Sequence, residues 1–342
     1  MNRKRTTLKD IAESLNISTT TVYRALNGHP DISQKLKEQI LFLAEQLHYH
    51  PNFFASSLRK KHSGMIGVVI PKVIHYFSST ILSGIIKTAR ERSYQVIICE
   101  THNQPDEEQK NVAHLTNSGV DGILIAVSNG TTNEDHLIKL VEENIPFVFF
   151  DKVPDDINGP KVLTNDYKGA YIATEHLIKQ GYKRIAHIKG QQGSRNSLPR
   201  YNAYKDAIAK YKYEFLDQLV KECKSATEEE GYKFANDFLK MKNRPDAYFA
   251  VNDETAIGVI MALRKHNIKI PEEVGVVGFC NSKIATYMHP SLSSVEQYGY
   301  DIGKLSTDIL LDMISSNVDE KLMSKKVILE PKLIIRESSK RI

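Results

Sequence analysis

The chain has 342 residues, more than one comfortable hydrophobic core, which indicates two or three domains. Its three cysteines are far apart in the sequence, which excludes a disulfide framework and a cysteine zinc finger. No apolar run is long enough for a secretory signal or a transmembrane helix, so we expect a cytoplasmic protein without a membrane partner.

The positive charge of the chain is concentrated near the N-terminus. Residues 1–61 contain ten Lys or Arg and five Asp or Glu, a net charge of +5. The whole chain, with 46 basic and 41 acidic residues, also carries +5, so the remainder is balanced at 36 against 36. An excess confined to one segment is what neutralisation of DNA phosphates requires.

Three short helices are predicted within this basic segment. The spacing of apolar residues gives helices at Leu8–Leu15, Thr19–Leu26 and Ser33–Leu47. Thr7 and Ser18 precede the first and second helices and can cap them. Two short helices joined by a tight turn describe a helix-turn-helix, although any three-helix miniature domain shares this pattern.

The second helix carries more polar side chains than packing requires. Its outer face holds Thr19, Thr20, Tyr23 and Arg24. Hydroxyl groups, a phenol and a guanidinium can reach base edges in the major groove, where Arg is the natural partner of guanine.

A proline-led segment follows the third helix. Pro51 suits the first turn of a helix, in which Phe54 and Leu58 would lie one turn apart. An apolar side chain beside the cations of residues 59–61 suits a wedge in the minor groove, and Leu58 could equally pack against the next domain.

From Met65 onward, apolar strand-like runs alternate with amphipathic stretches of helical length, which predicts parallel, doubly wound sheets. A first series has strands at 65–70, 94–99, 122–127 and 146–150, with helices near 78–92, 107–117 and 133–143. The turn-rich residues 151–160 predict a crossing to a second lobe. Its strands are predicted at 161–164, 184–189, 219–222, 247–251 and 274–279, with helices near 167–180, 200–211, 227–240 and 254–266. A helix at 298–315 and two strands within 326–336 end the chain.

Ligands of open α/β sheets bind beyond the carboxyl ends of the strands. That rule nominates residues 71–77, 127–129, 151, 190–200, 252–253 and 280–281. The set offers aromatic rings, the guanidinium of Arg200, amides and carboxylates, which suits a sugar or another polyhydroxylated metabolite. Within it, Asp253 is predicted to cap the following helix, as is Asn165 elsewhere.

Catalytic motifs are absent from the sequence. It has no G-x-S-x-G elbow, no Walker A loop and no G-x-G-x-x-G after a strand. His48 and His50 lack a third metal ligand nearby. We therefore expect no enzyme, no catalytic residue, no metal and no cofactor.

Residues 6–59 closely resemble the DNA-binding headpiece of the lactose-repressor (LacI/GalR) family of bacterial transcription regulators. The matching stretches are "TLKDIAESLNISTTTVYRALNG" and "YHPNFFASSLR". The later motifs "GYKRIAHIKG" (181–190), "RPDAYFAVNDETAIGV" (244–259), "IPEEVGVVGFCNS" (270–282) and "HPSLSSVEQ" (289–297) resemble the effector-binding core of the same family. The resemblance covers essentially the whole chain.

The resemblance implies a small all-α helix-turn-helix headpiece and an α/β core of two doubly wound parallel-sheet lobes, similar to periplasmic binding proteins. The expected domains are a DNA-binding domain at 1–48, a hinge helix and linker at 49–63, and a two-lobed effector-binding and dimerisation domain at 64–342. Within the last, the N-lobe is expected at about 64–160 plus 294–320, and the C-lobe at about 161–293 plus 321–342.

The resemblance also implies roles for individual residues. Thr19, Thr20 and Arg24 fall on positions that read bases, and Ser18, Thr21 and Asn27 on positions that contact the DNA backbone. Leu58 falls on the leucine that two subunits insert at the centre of the operator. The expected DNA-binding set is completed by Thr7, Tyr23, Asn52, Ala55 and Arg59.

Effector contacts are implied at Phe77, Asp151, Arg200, Asn252 and Cys280, with Tyr76 and Asn281 beside them. Cys280 departs from the family, in which most members have Asp at this position. Because a thiol is a weak donor and acceptor, either the ligand lacks the corresponding hydroxyl or Asn281 replaces the missing hydrogen bond.

Together these features predict a sequence-specific DNA-binding transcriptional regulator, a repressor controlled by a sugar or sugar derivative bound between the lobes. We expect a homodimer on a near-palindromic double-stranded operator, associated with the nucleoid when bound. The alternative is a cytoplasmic solute-binding or sensor protein that acts through a protein partner.

Overall fold

A computed structural model describes residues 6–49, 62–154, 156–315 and 320–341. The chain forms two compact units, Met1–Ser63 and Gly64–Ile342. The proline-led segment lies outside the described residues, and with it the predicted contacts of Asn52, Ala55, Leu58 and Arg59.

The first unit contains the three predicted helices, α1 (Leu8–Leu15), α2 (Thr19–Leu26) and α3 (Gln34–Gln46). A left-handed residue, Asn16, ends α1 and allows the tight turn into α2. One fully buried side chain from each helix, Ile11, Val22 and Ile40, forms the centre of the small core. The predicted helix-turn-helix geometry is therefore confirmed.

The second unit contains two α/β lobes. Its elements follow in the order β1 (Met65–Ile70), α4 (Tyr76–Glu91), β2 (Gln95–Glu100), α5 (Pro105–Asn117), β3 (Gly122–Ile125), α6 (Asp135–Glu142), β4 (Phe147–Phe150), β5 (Lys161–Thr164), α7 (Asp166–Lys179), β6 (Ile185–Lys189), α8 (Ser197–Lys210), β7 (Val220–Glu222) and α9 (Glu228–Leu239). These are followed by β8 (Ala247–Ala250), α10 (Asp253–Lys265), β9 (Gly275–Phe279), α11 (Lys283–Tyr287), β10 (Ser293–Glu296), α12 (Gly299–Ser315), α13 (Glu320–Met323), β11 (Lys326–Leu329) and β12 (Lys332–Ile334).

Each lobe is built on one six-stranded sheet. The first sheet has the strand order β11-β5-β4-β3-β1-β2, and all its pairs are parallel. The second has the order β12-β10-β9-β8-β6-β7, in which only β12 runs antiparallel to its neighbour. The central strands β1, β3, β4, β8 and β9 are runs of apolar residues, glycine and one tyrosine, since helices cover both faces of the sheets.

The predicted lobe boundaries need correction. β5 pairs with β4 on one side and β11 on the other, so residues 161–164 and 326–329 belong to the first lobe. β10, at 293–296, pairs with β9 in the second lobe. The turn-rich residues 151–160 therefore connect two strands of one sheet. Turn formers mark where a strand ends, but they do not indicate which sheet the next strand joins.

The chain passes between the lobes at three places, after β5, after β10 and after β11. These crossings lie side by side: the Thr164 hydroxyl donates to the Gln297 carbonyl at 3.1 Å, and the Asn165 amide N–H donates to the Leu329 carbonyl at 3.0 Å. Asn165 also caps α7 by accepting from the Lys168 N–H at 3.0 Å, as predicted.

Helices α4 and α12 cross in backbone contact. A Cβ atom added at Gly84 would lie 2.2 Å from the Tyr300 carbonyl oxygen, and one at Gly303 would lie 2.0 Å from the Ile81 carbonyl oxygen. Only glycine allows two helices to approach this closely.

We expect Gly303→Ala to lower the free energy of unfolding by about 1–3 kcal/mol, because the added methyl group forces the helices apart. The neighbouring exposed position gives a control, Lys304→Ala, whose effect should stay within about 0.5 kcal/mol. Urea unfolding of both variants measures the difference. An unchanged stability of Gly303→Ala would contradict the close crossing.

Candidate functional site

The outer face of α2 is accessible in the headpiece. Thr19, Thr20 and Arg24 are exposed, and the Arg24 guanidinium lies 3.8 Å from the Asp31 carboxylate at the surface. Tyr23 is half-buried beside them. Hydroxyls and a guanidinium thus point away from the core without a packing role.

Other predicted DNA-binding residues have local structural roles. Thr7 caps α1 through a reciprocal bond with Asp10, and the Ser18 hydroxyl caps α2 by accepting from the Thr21 N–H at 3.0 Å. Asn27 ends α2, and its side-chain amide donates to the Tyr23 carbonyl at 2.8 Å. Thr7 and Ser18 thereby fix the N-terminal ends of α1 and α2, and Asn27 fixes the C-terminal end of α2.

In the second unit, a cavity of about 340 Å³ lies between the two lobes. It is lined by residues that follow the carboxyl ends of strands in both sheets, as the rule for open α/β sheets predicts. Six of the seven predicted effector contacts line it, namely Tyr76, Phe77, Asp151, Arg200, Asn252 and Cys280.

Arg200 is the most firmly held side chain of this cavity. Its guanidinium Nη2 lies 2.6 Å from the Asp166 carboxylate, and Nη1 donates to the Val251 carbonyl at 2.8 Å. Its flat face stacks 3.7 Å above the Phe279 ring. The guanidinium is therefore presented to the cavity in one fixed orientation.

The carboxylates of Asp151 and Asp166 and the ammonium of Lys152, near Arg200, are partly buried. Burial raises the pKa of Asp166 to about 6, against the opposing effect of Arg200. Burial also raises the pKa of Asp151 and lowers the pKa of Lys152, although the opposite charges of these two neighbours counteract both shifts. Such groups are costly to bury, and in a cavity they mark a site for a polar ligand.

Several contacts join the lobes around the cavity. The Asn196 amide donates to the Asp151 carboxylate at 2.7 Å, and the Arg195 guanidinium pairs with Glu134 at 2.9 Å. His75 Nδ1 lies 3.2 Å from the Glu254 carboxylate, which also accepts from the Asn252 amide at 2.9 Å. Polar groups of both lobes thus meet at the rim of one cavity.

The helix cap predicted at Asp253 is formed by the preceding residue. Asn252, and not Asp253, caps α10, because its side-chain oxygen accepts from the Thr255 N–H at 2.9 Å. Asp253 is fully buried and accepts from the Ser282 N–H at 2.6 Å and the Ser294 hydroxyl at 2.5 Å. The carboxylate thereby joins the start of α10 to β10 and to the start of α11.

The predicted replacement of a missing hydrogen bond by Asn281 is not supported. Its side chain donates to Glu296 at 2.7 Å and accepts from Arg336 at 2.7 Å. Among the described residues that line the cavity, Asn281 does not occur. Cys280 lines the cavity, with its thiol 3.7 Å from the Asp253 carboxylate, and burial raises its pKa well above the ordinary value. The thiol is thus neutral and close to apolar in character.

The sequence analysis missed several lining residues. Gln297 is 2% exposed, and its side-chain Nε2 has no hydrogen-bond partner among the described residues. Gln297 directly follows β10, where the chain crosses between the lobes. The sequence analysis did not predict this strand, because its buried residues include two serines. Lys152 and Glu254 are each next to a residue that was predicted to line the cavity. Lys224 follows a strand that was predicted, but the residues after that strand were not nominated as cavity residues.

Comparison with known proteins supports both units. The family model for periplasmic binding proteins and the sugar-binding domain of the LacI family matches residues 63–333, and that for bacterial regulatory proteins of the lacI family matches residues 7–52. The chain belongs to the LacI family.

Individual relatives extend over the full chain. A ribose operon repressor of Halalkalibacterium halodurans is 30% identical over 338 residues, which are 98% of this chain and 97% of the relative. A LacI family regulator of Enterococcus faecium solved with bound ribose is 26% identical, with a TM-score of 0.71, over 80% of this chain and 98% of its own. The lac repressor dimer bound to operator shares the fold, with a TM-score of 0.86 at 22% identity over 98% and 99% of the two chains.

The described residues contain neither a metal-binding cluster of side chains nor a membrane-spanning helix. Within residues 6–49, 62–154, 156–315 and 320–341, no cluster of three or more His, Cys, Asp or Glu could hold a metal ion. In the same ranges, no helix has the length and apolar character needed to cross a bilayer.

The buried carboxyl group of Asp253 makes the free energy of unfolding of this LacI-family core depend on pH. Burial raises the pKa of its carboxyl to about 6, against hydrogen bonds from Ser294 and Ser282 that lower it. Since the unfolded chain releases this proton near pH 4, the folded chain binds more protons between about pH 4 and pH 6. The contribution of Asp253 to the free energy of unfolding therefore falls as the pH rises through this window.

We expect the stability of Asp253→Asn relative to the unsubstituted protein to rise from about pH 4 to pH 6 and to level off above that. Urea unfolding at a series of pH values measures it, with the exposed Asp217→Asn as the matched control. Equal pH profiles for the two variants would contradict the burial of an ionisable Asp253.

Proposed function

We propose that this protein is a sequence-specific transcriptional repressor whose hold on an operator is controlled by a sugar or sugar derivative in the interlobe cavity. The observation that carries this proposal is the combination, in one chain, of a helix-turn-helix with a polar exposed face and a polar cavity between two lobes. A ribose operon repressor aligns with this chain over nearly its whole length, both family units included.

In the DNA complex, α2 lies in the major groove. Thr19, Thr20 and Arg24 face the bases, because they are the exposed polar side chains of that helix. Tyr23 lies beside them, and the helix ends formed by Thr7, Ser18, Thr21 and Asn27 face the phosphates.

The core dimerises and so presents two headpieces to a near-palindromic operator. Apolar side chains that a monomer would leave in water support this assembly. They are at least 39% exposed and occur in both lobes, at Ile86, Ile98, Met261, Ile284 and Tyr287.

The cavity takes a polyhydroxylated molecule. Arg200, Asp151 and Gln297 offer donors and acceptors at fixed positions, while the Phe77 and Phe279 rings supply apolar faces. This mixture is typical of sites that bind sugars. The bound ribose of the Enterococcus faecium regulator is in keeping with such a ligand.

Binding in the cavity controls DNA binding through the lobes. The pairs Arg195–Glu134, Asn196–Asp151 and His75–Glu254 already join them, so a ligand that touches both lobes favours one relative orientation. A difference in ligand affinity between the DNA-competent and incompetent orientations is the coupling energy, typically about 1–3 kcal/mol.

The test uses an operator selected from random double-stranded DNA with the full-length protein. Arg24→Ala is expected to weaken binding to this operator by about 1–3 kcal/mol and to leave binding to competitor DNA unchanged, because it removes a base contact. Fluorescence anisotropy on both DNAs measures the two affinities.

Lys9→Ala serves as the control, since Lys9 is an exposed cation of α1 outside the recognition helix. Its effect should be the same on both DNAs. An equal loss on operator and competitor for Arg24→Ala, or no preferred sequence at all, would refute sequence reading by α2.

A further inference from the structure

The charged groups that line the interlobe cavity are not balanced. Two carboxylates, those of Asp151 and Glu254, line it. The lining cations are Lys72, Lys152, Arg200 and Lys224. A cavity with an excess of cations favours an anionic ligand over a neutral one.

The two cations deepest in the network are already engaged. Arg200 pairs with Asp166 at 2.6 Å, and the Lys152 ammonium donates to the Asn129 side chain at 2.7 Å next to Asp151. Lys72 and Lys224 differ from them, because neither ammonium is paired with a carboxylate in the part of the chain that the structure describes. The excess positive charge therefore resides on these two side chains.

Lys72 and Lys224 lie at the same end of the cavity although they belong to different lobes. The Asn252 amide donates to the Ala226 carbonyl at 2.9 Å and to the Glu254 carboxylate at 2.9 Å. That carboxylate contacts His75 Nδ1 at 3.2 Å. These bonds link Ala226 to His75 through Asn252 and Glu254, and Lys224 and Lys72 lie two and three residues before the ends of this chain of bonds.

Helix α4 begins at this end of the cavity. Its N-cap residue His75 makes no side-chain capping bond, and Tyr76, Phe77 and Ser78 of its first turn line the cavity. The N–H groups of a first helical turn lack partners within the helix and form its positive end. Gln297 Nε2, in a side chain that is 2% exposed, is a further donor, and it has no acceptor within the ranges that the structure describes.

Glu254 keeps its negative charge and offsets one of the two lysines, so one net positive charge remains among these three side chains. A carboxylate only accepts hydrogen bonds, and this one is already occupied by His75 and Asn252. It holds the two loops together, while the two lysines, the helix end and the Gln297 amide stay available to a ligand.

We propose that the effector carries an anionic group, a phosphate ester or a carboxylate, bound between Lys72 and Lys224 at the N-terminus of α4. This inference rests on the proposed function, because it specifies the ligand of the same cavity. Arg200 and Asp151 then face the hydroxyl-bearing part of the ligand, and the neutral Cys280 thiol faces a part without a hydroxyl.

The first experiment uses inorganic phosphate as the probe and the full-length protein with both lysines replaced, Lys72→Gln and Lys224→Gln. The matched control, Lys139→Gln with Lys233→Gln, removes one exposed lysine from each lobe outside the cavity. At constant ionic strength, phosphate in place of chloride should raise the Tm of the unsubstituted protein and of the control more than that of the cavity variant. An equal rise in all three proteins, or no rise in any, would overturn the inference.

The second experiment measures dissociation constants by calorimetry for ribose, ribose 5-phosphate and ribonate, and for glucose, glucose 6-phosphate and gluconate. The anionic member of a series should bind about tenfold or more tightly than its neutral parent, the factor that one charge-assisted hydrogen bond supplies. The cavity variant should lose this advantage and the control should keep it. The phosphate and carboxylate arms distinguish the two sources of charge.

A neutral sugar that binds as tightly as its anionic derivatives, and equally to both variants, would overturn this inference. The proposed function would then stand, since such a sugar could still act as effector. Failure of the proposed function has a different signature, the absence of any preferred DNA sequence.

Discussion

The interaction on which the cavity depends is the buried pairing of Arg200 with Asp166. Asp166 is the first residue of α7, directly after the chain crosses from the first lobe, and Arg200 also binds the end of β8 and stacks on the end of β9. One guanidinium thus ties a crossing between the lobes to the floor of the cavity. A ligand that contacts Arg200 is therefore connected, through Asp166, to a segment that links the two lobes.

The partners of the acidic side chains around this pair explain how the folded chain tolerates their burial. Removing an ion from water is costly, and a buried ion tolerates this only with a partner of opposite charge or full hydrogen bonding. Asp166 has Arg200, Asp151 has the Asn196 amide of the opposite lobe, and Asp253 has two serines and a thiol. The partner of Asp151 belongs to the opposite lobe, so this hydrogen bond forms only when the lobes are close together. The distance between the lobes and the protonation of Asp151 therefore depend on each other.

The features that depend on local sequence patterns could be predicted from the sequence. The bounds of α1 and α2 follow from caps and apolar spacing, and the cavity follows from the rule that ligands bind beyond parallel strands. The sequence could not predict which sheet β5 joins, because pairing with β11 links residues more than 160 positions apart. Nor could it show that Asn281 is held by Arg336, or that the serines of β10 are buried, since those facts depend on partners distant in the chain.

Cavity occupancy and DNA binding are two readouts of one equilibrium in this account, and thermodynamic linkage makes the coupling reciprocal. The most direct test takes the sugar or anionic sugar that most raises the Tm and measures its affinity for the full-length protein with and without saturating operator. The operator affinity is measured with and without saturating ligand. The account predicts equal fold changes of about fivefold or more in both pairs, abolished by Arg200→Lys without loss of operator binding in the absence of ligand. A ligand that binds the cavity with the same affinity whether or not operator is bound would contradict it.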